Sequence, residues 1–252
     1  MRKLLIAAAA LFALSAPALA AEGAPKPPSN DWSFKGPFGT YNRGELQRGF
    51  VVYKEVCAAC HSLRYVSYRN LADIGFSEAE VKAIAAAVEV TAGPNDDGEM
   101  FERPALPSDR FKSPFANAKA AAAANNGVAP PDLSLMAKAR IGGPDYVKGL
   151  LLGYEKAPAG FTVPDGGNYN KYFPGHVIAM AQPLASEGQV TYDDGTKATI
   201  EQMAHDVSAF LMWTAEPKLE ARYATGFKVI VFLLILSGLL YAAKRRVWAD
   251  VH

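Results

Sequence analysis

Cysteine is nearly missing from this chain: there are two among 252 residues, and that scarcity decides more than any abundance does. Two cysteines cannot build the disulfide framework of a small secreted scaffold. A structural zinc site would need two further Cys or His ligands at short spacing, and none stands near them. Histidine is scarce too, with four in all. There is no glycine-rich phosphate loop, no internal repeat and no disordered tract. Neither sign of charge is in excess, with 26 basic and 25 acidic residues, and no nucleic-acid partner is expected. Half of the residues are hydrophobic, which suffices for one sizeable core.

Both cysteines fall in one pentapeptide, Cys57-Ala58-Ala59-Cys60-His61. Residues three apart lie on one face of a turn, so the two thiols can serve a single planar ligand. Thioether bonds to the two vinyl groups of a porphyrin would follow, and His61 would be carried beneath the ring to bind iron. The spacing therefore points to one covalently attached haem c. The competing readings are a thiol–disulfide redox pair, half of a zinc site, or two unrelated buried thiols. A redox pair of this spacing normally sits in a βαβ context, which the surrounding pattern lacks.

The two ends carry addresses. Met1-Arg2-Lys3, the apolar run to Leu14 and the small residues to Ala20 have the three regions of a secretory signal, with cleavage expected after Ala20. Near the other end, residues 223–243 form a 21-residue apolar stretch broken only by Lys228, long enough to cross a bilayer as a helix. Lys244, Arg245 and Arg246 follow at once, and such clusters tend to stay on the cytoplasmic side. The expected plan is a signal peptide (1–20), an exported, periplasmic haem domain (21–222), a transmembrane helix (223–243) and a cytoplasmic tail (244–252). On that plan the exported domain carries a net charge of −4.

Within the domain, Leu46, Phe50, Tyr53 and Val56 recur at helical spacing and predict an amphipathic helix from Glu45 into Cys57. Ser77 with Glu80 reads as a capping box opening a short helix to Val88. A loop over 91–107, an Ala-rich helix over 116–124, short helices over 133–139 and 145–152, and a long loop over 153–192 follow. A last amphipathic helix over 199–213 ends before Pro217, which separates it from the apolar stretch.

A single histidine leaves iron one ligand short, so a second donor decides between electron transfer and ligand chemistry. The candidates are Met100, Met136, Met180, Met203, Met212, His176, His205 and His252. Met100 lies in an acidic, exposed loop. Met203 and Met212 read as core filling, Met136 as packing against a haem edge, His205 as a solvated position, and His252 lies at the far terminus. Met180 and His176 share the segment Tyr172 to Pro183, where prolines and a glycine fix the course of an apolar loop. Met180 leads, and His176 stays open.

The run Arg48-Gly49-Phe50-Val51-Val52-Tyr53-Lys54-Glu55-Val56 before the pentapeptide, and Ser62-Leu63-Arg64-Tyr65 after it, resemble the cytochrome c1 family, the haem subunits of the cytochrome bc1 complex. Three further blocks carry the resemblance: Ala124 to Gly127 with Pro130 to Ser134; Ala139-Arg140 with Gly142-Gly143 and Asp145-Tyr146; and Asn170 to Pro183 around Tyr172-Phe173-Pro174-Gly175. The fold this implies is mainly α, a class I cytochrome c-like haem domain with long loop insertions plus one C-terminal transmembrane helix. The resemblance makes Met180 the sixth ligand. It also makes Asn125, Pro131, Arg140 and Tyr146 residues of the haem pocket, with Arg140 paired to a propionate.

The function implied is an electron-transfer subunit without a catalytic site of its own, part of a bacterial inner-membrane quinol:cytochrome c oxidoreductase. It would take single electrons from a Rieske iron–sulfur protein and pass them to a soluble or tethered c-type cytochrome, beside cytochrome b in a dimeric complex. The extra cysteine pair of some bacterial members is absent here. The acids Glu78, Glu80, Glu89, Asp96, Asp97, Glu99 and Glu102 would suit the docking of a basic acceptor. The alternatives are a haem c subunit of a terminal oxidase, a tethered electron shuttle, a haem enzyme with an open distal site, and a thiol–disulfide oxidoreductase.

Overall fold

The computed structural model describes residues 25–251; the expected signal peptide, 1–20, and His252 lie outside them. The main elements are α1 (Arg43–Glu55), α2 (Glu78–Ala86), α3 (Ala118–Ala124), α4 (Met136–Ala139), α5 (Pro144–Leu152), α6 (Ile200–Ala215) and α7 (Leu219–Val247). Two small antiparallel hairpins join them, β1 (Glu89–Ala92) with β2 (Phe101–Pro104) and β3 (Asn168–Tyr169) with β4 (Val177–Ile178). The expected mainly helical domain, with long loops and one long apolar helix at its C-terminal end, is what the chain forms.

Local chemistry sets most boundaries. Asn42 caps α1 by accepting from the N–H groups of Gly44 and Glu45, and Thr199 caps α6 through Gln202. Ser77 and Glu80 form the reciprocal capping box expected at the start of α2. The core forms where α1 crosses α6: Leu46, Phe50 and Tyr53 pack against Met203, Val207 and Phe210, all nearly or fully buried. The crossing is close because position 49 is glycine. A Cβ there would lie 2.1 Å from the Asp206 carbonyl oxygen and 2.6 Å from the Phe210 Cβ.

Four expectations change. The loop over 91–107 contains β1–β2, paired Glu89 to Pro104 through Ala92 to Phe101, and the loop over 153–192 contains β3–β4. The helix expected over 133–139 shrinks to the single turn of α4. Leu133 and Ser134 belong instead to a bonded seam, the Leu133 N–H on the Ser62 carbonyl and the Ser134 N–H on the Asp132 carboxylate. His205 is not solvated: its ring stacks on Trp32 at 4.5 Å and lies 3.8 Å from Glu45, because the segment before α1 folds back over α6.

The apolar helix is longer than the stretch 223–243. α7 runs 29 residues, opening just after Pro217 and continuing through the three cations, which suit a helix C-terminus. Its foot joins the domain: Leu219 is buried, Tyr223 is half-buried against the core, and Glu220 accepts the Tyr41 N–H and both arms of the Arg43 guanidinium.

Beside the crossing, the Asp206 side chain is fully buried and receives the Arg48 fork at 2.9 and 3.1 Å. Burial pushes this carboxyl up, and Arg48 opposes the shift. Arg48→Met would leave the carboxylate without its cation and should cost about 3–5 kcal/mol in urea unfolding. Adding Asp206→Leu should recover most of that loss. A single variant as stable as the parent would show that the pair does not hold the crossing.

Candidate functional site

α1 delivers the pentapeptide but does not contain it. The helix ends at Glu55, and Cys57–Ala59 form a 3-10 turn in which the Cys60 and His61 N–H groups both donate to the Cys57 carbonyl, at 3.1 and 2.8 Å. In a 3-10 turn residues i and i+3 eclipse, so the tighter turn aligns the two thiols better than the α-helix expected there. Both cysteines are free; Cys57 is half-buried and Cys60 exposed. Burial, then the neighbouring Cys60, push the Cys57 thiol up to about 12.

His61 is held on two sides. Its carbonyl accepts the hydroxyl of the buried Tyr53 at 3.0 Å, and its Nδ1 lies 2.8 Å from the Pro131 carbonyl. A carbonyl can only accept, so Nδ1 carries the proton and Nε2 keeps its lone pair. Burial pushes the imidazole down, although the Pro131 bond and Asp132 oppose this, and the neutral form is the one that binds metal.

Pro131 reaches His61 because Asp132 fastens the two segments together. Its Oδ2 accepts the Ser62 hydroxyl at 2.7 Å and the Arg64 N–H at 2.8 Å, and its Oδ1 accepts the Ser134 N–H at 2.9 Å. The Leu133 N–H donates to the Ser62 carbonyl and the Tyr65 N–H to the Ser134 hydroxyl, completing the seam. Burial alone would push Asp132 up; these donors overcome it and hold the carboxyl below its ordinary value.

A second loop presents Met180. Two residues past β4, its carbonyl accepts the Tyr154 hydroxyl at 3.0 Å and the Asn168 amide at 3.3 Å, while the residue is only half-buried. The loop is fixed to the end of α5 by the buried Asn170, whose side chain donates to the Leu150 carbonyl and accepts the Tyr172 N–H. His176 is occupied within the hairpin: its φ is +61°, its Nδ1 lies 3.3 Å from the Asn170 carbonyl, and its ring stacks on Tyr169 at 5.5 Å.

The remaining sequence candidates lie between these two in the chain, Asn125 and Arg140 at helix ends and Tyr146 within α5. Asn125 ends α3 and donates its side-chain amide to the Ala121 carbonyl at 2.7 Å. Arg140 is exposed and makes no ion pair among the described residues; its guanidinium meets only the Ala139 carbonyl, at 3.2 Å. Tyr146 is half-buried; burial pushes its phenol up and the positive charge of Arg140 opposes this. The structure thus joins Cys57, Cys60, His61 and Pro131 in one bonded cluster and sets Arg140 near Tyr146. Met180 and Asn125 have no hydrogen bond to that cluster.

These residues fit a haem. Two thiols three apart, a neutral imidazole with a free nitrogen, a thioether on a pinned loop and a guanidinium without a carboxylate match the group's vinyls, iron and propionates. The segments that carry them also expose Val128, Leu135, Ile141 and Phe161, Ile141 almost completely, as an apolar macrocycle needs. Tyr53 and Asp132 escaped the sequence reading. Tyr53 passes for one more core residue on the α1 stripe, and the only sign of Asp132 is its place in Pro131-Asp132-Leu133-Ser134, where an acid can catch the N–H two residues on.

Fold and motif together define a c-type haem protein. The sequence model described as "Cytochrome C1 family" matches residues 32–251. The chain is 48% identical to "Cytochrome c1" of Rhodospirillum rubrum, over all of this chain and 98% of that protein. It is 46% identical to "Cytochrome b-c1 complex catalytic subunit, mitochondrial" of Candida albicans, over 92% of this chain and 81% of that protein. It is also 55% identical to "Cytochrome b/c1" of Bradyrhizobium diazoefficiens over 98% of this chain, which spans only 39% of that protein's length. The chain belongs to the cytochrome c1 family, of the bacterial type, and membership implies a haem of c type.

Asp132→Ala should open the seam. Each hydrogen bond to the carboxylate is worth about 1.5–3 kcal/mol. Denaturant unfolding should therefore show a loss of a few kcal/mol, with Asp132→Asn intermediate. If Asp132→Ala left stability unchanged, the seam would not be what holds Pro131 against His61.

Proposed function

We propose that this chain is a membrane-anchored, monohaem electron relay of a quinol:cytochrome c oxidoreductase, accepting single electrons from a Rieske iron–sulfur protein and passing them to a c-type cytochrome. The observation that carries the reading is the placement of His61, its Nδ1 committed to the Pro131 carbonyl and its Nε2 left to bind, one residue beyond a pair of thiols at a 3-10 turn. Membership of the cytochrome c1 family supports it, as do the printed names of the Candida and Bradyrhizobium relatives, which couple their proteins to cytochrome b.

When bound, the haem supplies one-electron chemistry between ferric and ferrous iron. Cys57 and Cys60 would hold it covalently, and His61 Nε2 and the Met180 sulfur would be its iron donors. The Pro131 bond fixes the orientation of His61 and strengthens it as a donor. Tyr154 and Asn168 hold the Met180 backbone in place, so the ligand need not move when the charge changes. Arg140, which has no carboxylate partner among the described residues, pairs with a propionate, and Asn125, Pro131 and Tyr146 line the pocket. No proton is moved by any of these groups.

In this reading α7 anchors the chain, with the haem domain on the periplasmic side, the cations after residue 243 in the cytoplasm, and cytochrome b beside it in a dimeric complex. Its exposed apolar surface over 29 residues supports that placement. The β1–β2 hairpin presents Glu89, Asp96, Asp97, Glu99 and Glu102 to solvent, a face suited to a basic acceptor.

Two measurements test the proposal. Met180→Leu should abolish the far-red sulfur-to-iron charge-transfer band of the oxidised protein and lower its reduction potential, by a clear fraction of the ~0.8 V that axial ligands command. Retention of the band would remove Met180 from the iron. The rate of reduction of a basic soluble cytochrome c should fall as ionic strength rises, and Asp97→Asn with Glu99→Gln should flatten that dependence. A rate indifferent to salt would dismiss the acidic hairpin as a docking face.

A further inference from the structure

The segment before α1 contains a turn that serves neither the core nor the haem site. At Gly36-Pro37-Phe38-Gly39 the chain reverses: the Gly39 N–H meets the Gly36 carbonyl at 3.4 Å and the Thr40 N–H meets the Ser33 carbonyl at 3.0 Å. Both glycines are required. Gly36 has φ +83°, and a Cβ at Gly39 would lie 2.3 Å from the Phe34 carbonyl carbon. The turn is thus built tightly, and its tip is a phenylalanine that is 76% exposed.

The base of the turn is fastened to the foot of α7. Phe34 and Tyr41 are buried and pack on each other at 5.1 Å. The Tyr41 N–H donates to Glu220 at 2.7 Å, the Tyr41 hydroxyl to the Glu216 carbonyl at 3.0 Å, and Arg43 grips Glu220 with both nitrogens. This fastening points the tip along the helix. The Phe38 ring meets Phe227 edge-on, with centroids 6.1 Å apart, and Phe227 is itself 56% exposed.

Phe227 stands four residues inside the apolar stretch that opens at Tyr223, about 6 Å along the axis at 1.5 Å per residue. The interfacial layer on each side of a bilayer core is about 5–8 Å thick. With Tyr223 at the edge of the acyl core, Phe38 beside Phe227 therefore lies within the outermost part of the acyl layer, just below the headgroups. Lys35, three residues before it in the same turn, and Lys218 at the foot of α7 are exposed and suited to headgroup phosphates.

We propose that the Gly36–Gly39 turn is a second membrane contact, with Phe38 inserted into the outer leaflet beside α7, a reading that rests on α7 as the anchor. The occupant of this face is lipid. The apolar surface of Phe38 continues that of α7, and nothing else among the described residues covers it. Helix and turn then form two points of attachment, which set the tilt and height of the domain over the membrane.

Spin labelling tests this in the haem-loaded full chain, reconstituted alone in phosphatidylcholine vesicles. Both native thiols are taken up in thioethers, so Phe38→Cys, and separately Pro37→Cys, which keeps the phenylalanine, each give one reactive thiol. The ratio of oxygen to aqueous nickel-chelate collisions at positions 37 and 38 should exceed several-fold that at an Asp97→Cys label and approach that at Leu234→Cys. Ratios equal to those at position 97, with position 234 in lipid, would overturn the proposal. An aqueous reading at position 234 would instead overturn the anchor, and the turn's contact with it. Exposure in vesicles followed by protection only in the assembled complex would assign the face to a protein subunit and refute the lipid contact.

Discussion

The site depends on how closely two helices can approach. α1 passes α6 with Gly49 against the Asp206 carbonyl, at a separation that leaves no room for a methyl group. That approach lets Phe50 and Tyr53 reach Phe210, at ring distances of 5.9 Å each, and fixes where α1 stops. The pentapeptide follows immediately, so its thiols inherit their position from a core contact two turns upstream. Tyr53 makes the connection directly, with its ring in the core and its hydroxyl on the His61 carbonyl.

The other wall is assembled by polar chemistry. Between Ser62–Tyr65 and Pro131–Ser134 a single carboxylate gathers donors from both segments. Such a seam is directional where hydrophobic packing is not, which suits a segment whose task is to aim one carbonyl at one imidazole nitrogen. The Met180 loop is built in the same way, through Asn168, Asn170 and Tyr154 instead of through a packed core. An apolar core positions the proximal side, and side-chain to backbone hydrogen bonds position the loops around it.

What could be read from the sequence follows from the range of the interactions. The helices with local signals were legible: the Ser77–Glu80 box, the Thr199 cap, Asn125 at the end of α3 and the stripe of α1 all lie within a few residues of what they determine. The pentapeptide was legible because its chemistry is complete within five residues. The seam joins residues about 70 apart, and His205 is covered by Trp32 from the far end of the domain, so neither leaves a local trace. The hairpins were missed because their strands are two to four residues long, too short for alternation to show.

The foot of α7 has a mechanical consequence. Glu216 is gripped by Lys138 from α4 and by Arg222 from the helix itself, and Glu220 by Tyr41 and Arg43 from the opposite side of the domain. Bonds from two directions oppose both swivel and tilt, so the junction behaves as a weld where a linker would be a hinge. If the proposed relay is anchored through α7, it is a fixed post. Any distance that must open and close during an electron hand-off has to do so through movement of the molecules that visit it.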